Sequence, residues 1–346
     1  MVPDMVNSPI TYATVCSGVE CVSLAWQPLG DFEPIFFSEI EPFPSAVLAH
    51  HHPSVPNLGD MTKIDGRDYA GKVDVFWASF PCQDFSIAGK QRSVQGSRGA
   101  LTLSGIHLVD DIDPDVFVFE NVPNLLNQED NAFGQFLGAL SGAGRPLNPS
   151  ARRWNRAGYV VGPRRRIAWR TLDAQFFGLP QQRERVFVVA CPIDGCDPAG
   201  ILFERGEEGL PLGRELAVER TTANPSPTGA SPVFAARALA IRGRNGIPRP
   251  EVGGPLQNCL RASQGGSDKA FVLVSDADYG WRIRRHLMEE LERLMGIPEG
   301  YTGIPYRGGI AADGLREHAI GNGLAVPVVA WIGKRVKDAL HAYRAA

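Results

Sequence analysis

Long apolar runs, paired cysteines, a cationic leader and a large net charge are all missing from this 346-residue sequence. No run of about eighteen apolar residues occurs, so a membrane-spanning helix is not expected. The opening residues, MVPDMVNSPITYATVC, contain no basic segment followed by an apolar one, so no secretory leader is expected. Six cysteines (16, 21, 82, 191, 196 and 259) lie scattered, with no pair of CxxC motifs. Cys191 and Cys196 alone cannot furnish four metal ligands, so the reading is no metal and reduced thiols in a cytoplasmic protein. No internal repeat is present, and a monomer is expected.

A formal charge of −3 gives no global attraction to phosphate. The distribution of charge matters more. Between Ala151 and Arg170 stand seven arginines and no acid, where a solvated face would interleave both signs. A second basic zone (Arg237, Arg242, Arg244, Arg249, Arg261) falls in glycine-rich sequence. Nucleic acid therefore stays open as a partner.

With 44% apolar residues the chain can build a large core and two domains. Strands are expected at 10–16, 34–40, 72–79, 115–121, 167–172 and 185–191, with helices at 22–30, 45–52 and 100–112 between them. Near-continuous apolar runs such as VDVFWAS and DVFVFEN suit strands buried on both faces of a parallel sheet. The alternation predicts an α/β, doubly wound sheet that binds ligands beyond the carboxyl ends of its strands. Residues 191–280, rich in glycine and proline, read as a separate loop-rich region. Helices are expected again at 281–296 and after Pro327.

The turn Cys16-Ser17-Gly18-Val19-Glu20-Cys21 lacks the second glycine that brings backbone against a pyrophosphate, which disfavours NAD and FAD. Glu39 ends the second strand where a ribose-binding carboxylate belongs, and Asp60 could meet an adenine amino group. A nucleoside without diphosphate fits, with S-adenosylmethionine the obvious candidate; ordinary loop acids would look the same. Cys82 follows a buried strand and Pro81, a placement open to an inert thiol or a nucleophile. Glu120, after four apolar residues, should have a raised pKa suited to a proton donor, or be paired to an arginine. Arg183 and Arg185 alternate into a strand and should share one face.

In this order FPCQDFS (80–86), ENV (120–122), PQQRER (180–185) and GNGLAVPV (321–328) resemble the DNA cytosine-5 methyltransferase family, especially its bacteriophage and prophage members. SRGAL (97–101) and ERLMGIPEGY (292–301) agree with it. The resemblance implies an S-adenosylmethionine-dependent, Rossmann-like catalytic domain at 1–190 plus 318–346, with a smaller target-recognition domain at 191–317. It implies Cys82 as nucleophile, Glu120 at the N3 edge of cytosine, Arg185 and Arg183 on the O2 side, and double-stranded DNA as partner. For the cofactor it implies Glu39 at the ribose, Asp60 at the adenine amino group, and Ile40 and Met61 flanking the ring. Cys16, Ser17, Gly18, Val19, Pro81 and Leu101 would complete the pocket, and Asn322 would approach the methionine end. DNA contacts would come from Gln83, Ser86 and Arg98, and from Arg242, Arg244, Arg261 and Gln264 in the recognition loops.

The arginine-rich stretch 141–170 exceeds the family's minimal pattern and is read as a phosphate-binding arm, with a solvated loop as the alternative. Glu20 and Cys21 stand where many members have glycines, Ala78-Ser79 replaces glycines, and His286-Leu287-Met288 departs from a frequent leucine-threonine-proline. Two rivals share the scaffold: a transfer-RNA cytosine methyltransferase and a non-catalytic DNA-binding regulator.

Overall fold

The structure, a computed structural model, describes residues 8–80, 98–204, 233–244, 247–262, 270–276 and 280–345. Its centre is a seven-stranded sheet. In chain order its strands are β1 (Ile10–Val15), β2 (Phe32–Ser38), β3 (Val75–Ala78), β4 (Val116–Asn121), β5 (Ala157–Val161), β6 (Arg165–Asp173) and β8 (Glu184–Pro192). The spatial order is β2-β1-β3-β4-β8-β6-β5, with β7 (Gln181–Gln182) outside this sheet. The pairs β1–β2, β1–β3 and β3–β4 are parallel, whereas β8 runs antiparallel to β4. The carboxyl ends of β1 to β4 therefore share one edge of the sheet with the beginning of β8. The chain passes from β1 to β2 on one side and then crosses to β3 on the other, making this edge a switch point, where open sheets of this kind bind ligands.

Period-two alternation sends side chains into two cores. Ala13, Val15, Phe76, Ala78, Phe117 and Phe119 belong to one, and Tyr12, Val75, Trp77, Val116 and Val118 to the other. All four residues of β3 are buried, as expected of a central parallel strand. Helix α1 (Cys21–Trp26) packs against the final helix, whose range is Val326–Arg344, and Trp26 Nε1 donates to the Val329 carbonyl at 3.1 Å. The flanking helices on the way are α2 (Pro42–His51), α3 (Arg98–Ile112), α4 (Ala132–Ser141) and α5 (Pro198–Leu202).

Three expectations change. The arginine-rich stretch is not a free arm: β5 and β6 inside it extend the main sheet. Arg165 is buried, bonded to Asp110 at 2.6 Å and to the carbonyls of Leu140 and Val109. Arg164 also reaches Asp110, Arg156 pairs with Glu184 and Arg170 with Glu204, and Arg166 donates to the carbonyls of Gly195 and Cys196. Acids distant in sequence supply the counter-charges that the local sequence lacks.

Second, the region read as loop-rich contains a four-stranded antiparallel sheet, β10-β9-β12-β13. Its strands are β9 (Val233–Arg244), β10 (Ile247–Val252), β12 (Ala270–Asp276) and β13 (Gly280–Arg285), while β11 (Gln257–Asn258) pairs with β7. Third, the helix expected at 281–296 is divided. Residues 280–285 pair with β12, Ile283 opposite Leu273, and α6 begins only at Met288, ending at Met295. Cross-strand pairing there overrides local helix preference. The apolar residues of α6 and of the following stretch, Leu291, Met295, Ile297, Tyr301 and Ile304, share a cluster with Val19, Phe43 and Val47. The stretch 288–317, grouped by sequence with the recognition domain, thus packs against the turn after β1. Among the described residues no helix is long and apolar enough to cross a membrane, and no cluster of three metal-ligating side chains occurs.

Candidate active site

The edge where β3, β4 and β8 meet gathers the reactive groups. Phe80 follows β3, wholly buried, its ring 4.8 Å from that of Phe119. Gly105 of α3 makes room for it, since any Cβ there would overlap the Phe80 ring. Asn121 Nδ2 donates to the Phe80 carbonyl at 3.1 Å, fixing the backbone that enters Pro81 and Cys82. Cys82 itself lies outside the described residues, as do Pro81, Gln83, Ser86 and Gln264.

One residue earlier on β4, Glu120 is buried, with Arg185 Nε at 2.9 Å from its Oε1. Burial pushes the Glu120 carboxyl above its ordinary range, while the guanidiniums of Arg185 and Arg183 pull it back. The antiparallel register that sets Glu120 opposite Phe187 delivers Arg185, at the start of β8, to this carboxylate.

Arg183 has other partners. Its Nη1 donates to the Leu260 carbonyl at 2.9 Å, and its Nη2 to the carbonyls of Gly323 at 2.6 Å and Gly321 at 3.2 Å. Burial lowers its pKa to about 10, with the Arg185 charge a smaller cause. Arg183 therefore clasps three chain segments together. The sulfur of Cys259 lies 3.5 Å from Arg183 Nη1 and 3.8 Å from Arg185 Nη1. Sequence reasoning missed this thiol, which reaches the site only because β11 pairs with β7.

The neighbouring crevice opens after β1 and β2. Gly18 has φ +58, favoured by glycine, and the space beside its Cα is open. Its N–H donates to Glu39 Oε2 at 2.8 Å, and the Glu41 N–H to Glu39 Oε1 at 2.8 Å, so the Glu39 carboxylate is aimed before any ligand arrives. Ile40 is 71% exposed and so is free to cover one face of a flat apolar ligand. Asp60 accepts from Thr62 N and Oγ1, which hold its carboxyl below the usual range. Cys16 contacts Met61 at 3.9 Å, and burial pushes its thiol up to about 12.

Val19 and Met61 are buried, so Val19 offers the pocket backbone only, and its carbonyl is taken by Tyr301 Oη at 3.1 Å. Leu101 packs on the core, and Asn322 contacts His318 Nε2 at 3.2 Å. A carboxylate aimed beside an open glycine turn fits ribose hydroxyls and repels phosphate, so these residues suit a nucleoside such as S-adenosylmethionine.

Of the other expected DNA contacts, Arg98 begins α3, and Arg261 is exposed just after Leu260. Arg242 lies directly across from Arg249 in the β9–β10 register, and Arg244 across from Ile247.

Residues 10–195 match the model of the C-5 cytosine-specific DNA methylases. The chain is 32% identical to the DNA N-6-adenine-methyltransferase of Escherichia phage P1, covering 96% of this chain but 61% of that protein. It is 28% identical to the type II methyltransferase M2.BsuMI of Bacillus subtilis, over 93% of this chain and 74% of that one. Its fold matches the crystal structure of the S. pombe Dnmt2 methyltransferase at a TM-score of 0.64 and 14% identity, covering 95% of this chain and 99% of the other. Sheet order, crevice and matched segment agree, and the chain belongs to the C-5 cytosine-specific DNA methylase family.

Proposed function

We propose that the protein transfers a methyl group from S-adenosylmethionine to C5 of a cytosine rotated out of double-stranded DNA. The observation that carries this reading is the buried Glu120–Arg185 pair beside the clamped Phe80 backbone that leads into Pro81-Cys82. C5 of cytosine is a weak nucleophile. The Cys82 thiolate adds to C6, Glu120 protonates N3, and the ring becomes an enamine. S-adenosylmethionine supplies, as a sulfonium, the methyl that C5 then takes. Loss of the C5 proton expels Cys82. Arg185 holds Glu120 and faces the O2 side. C6 is stacked inside a duplex, so the base must leave the helix to meet the thiol.

Glu39, Ile40 and Asp60 hold the adenosine, with Ser17, Gly18 and Asn322 around its other end. Catalytic residues come from 1–190 and 318–346, and 191–317 carries target recognition through the β9–β13 sheet. The activity in the phage P1 protein's name concerns an amino group, which carries its own lone pair and needs no thiol adduct. An acid–guanidinium pair beside the backbone that leads into Pro81-Cys82 favours chemistry at a ring carbon.

Bisulfite sequencing of DNA from cells expressing the protein identifies the target site. Duplexes carrying 5-fluorocytosine at that site should then form, with cofactor present, a covalent adduct at Cys82. Methylation without such an adduct, or methylation of transfer RNA and not of duplex DNA, would refute the reading.

A further inference from the structure

A continuous run of hydrogen bonds lies beneath the cofactor crevice, and its centre is a residue outside the proposed chemistry. Glu20 is wholly buried and has φ +61, a conformation that disfavours a side chain. It caps α1: Oε1 accepts from Ser23 N at 3.0 Å and from Ser23 Oγ at 3.1 Å. Oε2 accepts from Thr14 Oγ1 at 2.7 Å. Thr14 Oγ1 also meets Ser17 Oγ at 2.7 Å. The Ser17 hydroxyl is also within reach of the carbonyls of Thr14 at 3.1 Å and Ser38 at 3.3 Å. Ser17 Oγ in turn accepts from Ser38 N at 3.0 Å, and Ser38 Oγ donates to the Gly59 carbonyl at 2.6 Å.

The run thus joins the ends of β1 and β2 and the loop before Asp60. Ser17-Gly18, Glu39 and Asp60 are the proposed cofactor contacts, and each sits within one or two residues of a link in this run. A buried carboxylate in a strained backbone costs stability, and the cap on α1 offsets part of that cost. A further use of the carboxylate, through Thr14, lies toward the crevice.

We propose that Glu20 is a positioning residue for the cofactor: its buried carboxylate orders the Thr14–Ser17–Ser38 hydroxyls and so sets the spacing of the three loops that hold the adenosine. This rests on the methyltransferase reading above. It extends that reading to a residue touching neither cofactor nor base.

Calorimetric titration of the full chain with S-adenosylmethionine and S-adenosylhomocysteine tests it, beside steady-state kinetics on the mapped DNA site. At about pH 8, where Glu20 is ionised, Glu20→Gln reverses one bond, because its amide must donate where the carboxylate accepted. Thr14→Val breaks the run and keeps the Glu20 carboxylate with its Ser23 bonds, though Oε2 loses its donor. Each should raise the Kd for both ligands about tenfold, the scale of one charge-assisted bond. KM for the cofactor should rise in step, while kcat at saturating cofactor and KM for DNA stay within about twofold. The double variant should be little worse than either single one, since both break the same run.

If Glu20→Gln does not fold, Thr14→Val decides alone. A wild-type protein that binds neither ligand would overturn the methyltransferase reading and this proposal together. A wild type that binds, with folded variants of unchanged Kd or with loss confined to kcat, would overturn this proposal alone.

Discussion

Two buried carboxylates, Glu20 and Glu120, differ in what surrounds them, and that difference sets their behaviour. Glu120 faces the Arg185 guanidinium, so burial and pairing oppose each other. Replacing it by glutamine removes the acid and leaves Arg185 without its counter-charge. Turnover should fall about a hundred- to ten-thousandfold in single-turnover methylation assays, with cofactor Kd unchanged. Glu20 meets only hydroxyls and an N–H, and burial lifts its pKa from the ordinary 4.5 to about 7. The ionisable groups nearest it are Tyr12, Cys21 and Tyr301, all raised by burial.

The folded state keeps a Glu20 proton that the unfolded chain releases above about pH 4.5. Its contribution to stability is therefore full below that pH and lost as pH rises through about 7, up to about 3 kcal/mol. Urea unfolding at about pH 5 and pH 8 should show Glu20→Gln gaining on the wild type at the higher pH by an amount of this order. A pH-independent difference would contradict the assignment.

At the scale of elements, the β5–β6 extension shows how a charge run acquires structure. Arg165 is 3% exposed and bound to Asp110 and two carbonyls, whereas Arg152 and Arg153 are exposed. Arg165→Ala takes one of two arginines from Asp110 and a donor from the Leu140 carbonyl, at a cost of about 1–3 kcal/mol. Arg153→Ala should cost under about 0.5 kcal/mol. Thermal or denaturant unfolding of the two variants measures the contrast, and equal costs would reject it. Gly105 gives an element-level test at the site. Gly105→Ala forces the Phe80 ring aside and should destabilise by about 1–3 kcal/mol, with lower turnover because Phe80 leads into Pro81-Cys82.

The strands and helices around the site were legible because their cause is local. Four apolar residues then Glu120-Asn121 mark a buried strand ending at a crevice, and Gly18 marks its turn. The sheet at 233–285 was not, although Asn245-Gly246 is a hairpin signal in the sequence, because glycine and proline interrupt the alternation. Strand β13 was misread for a related reason: Arg284 bonds bidentately to Glu290, so the charged residues of 280–290 serve both a strand and a helix.

For the whole molecule, a net charge of −3 coexists with two arginine-rich zones, one at the edge of the main sheet and one on the four-stranded sheet. Arg242 and Arg249 are partners in the β9–β10 register. On the proposed function both contact DNA phosphate. Arg242→Ala and Arg249→Ala should each reduce the slope of log Kobs against log salt by about 0.9. Filter binding on the mapped site over a salt series reads this directly, and an unchanged slope would place these arginines away from the backbone.

The sequence by itself determined the order of strands and turns, the acid at the end of β4, and the family motifs, because each depends on residues close together in the chain. Only the tertiary structure decided what those residues touch. Arg183 became a clasp for Leu260, Gly321 and Gly323, and Cys259 arrived beside two guanidiniums. Glu20 became the anchor of a buried hydroxyl run, and the arginine-rich stretch became the edge of a sheet. The Glu20 bonds span only three to six positions, but the others depend on partners tens to hundreds of positions away, and a hydrogen bond is fixed by where the folded backbone brings its acceptor, which no local pattern encodes.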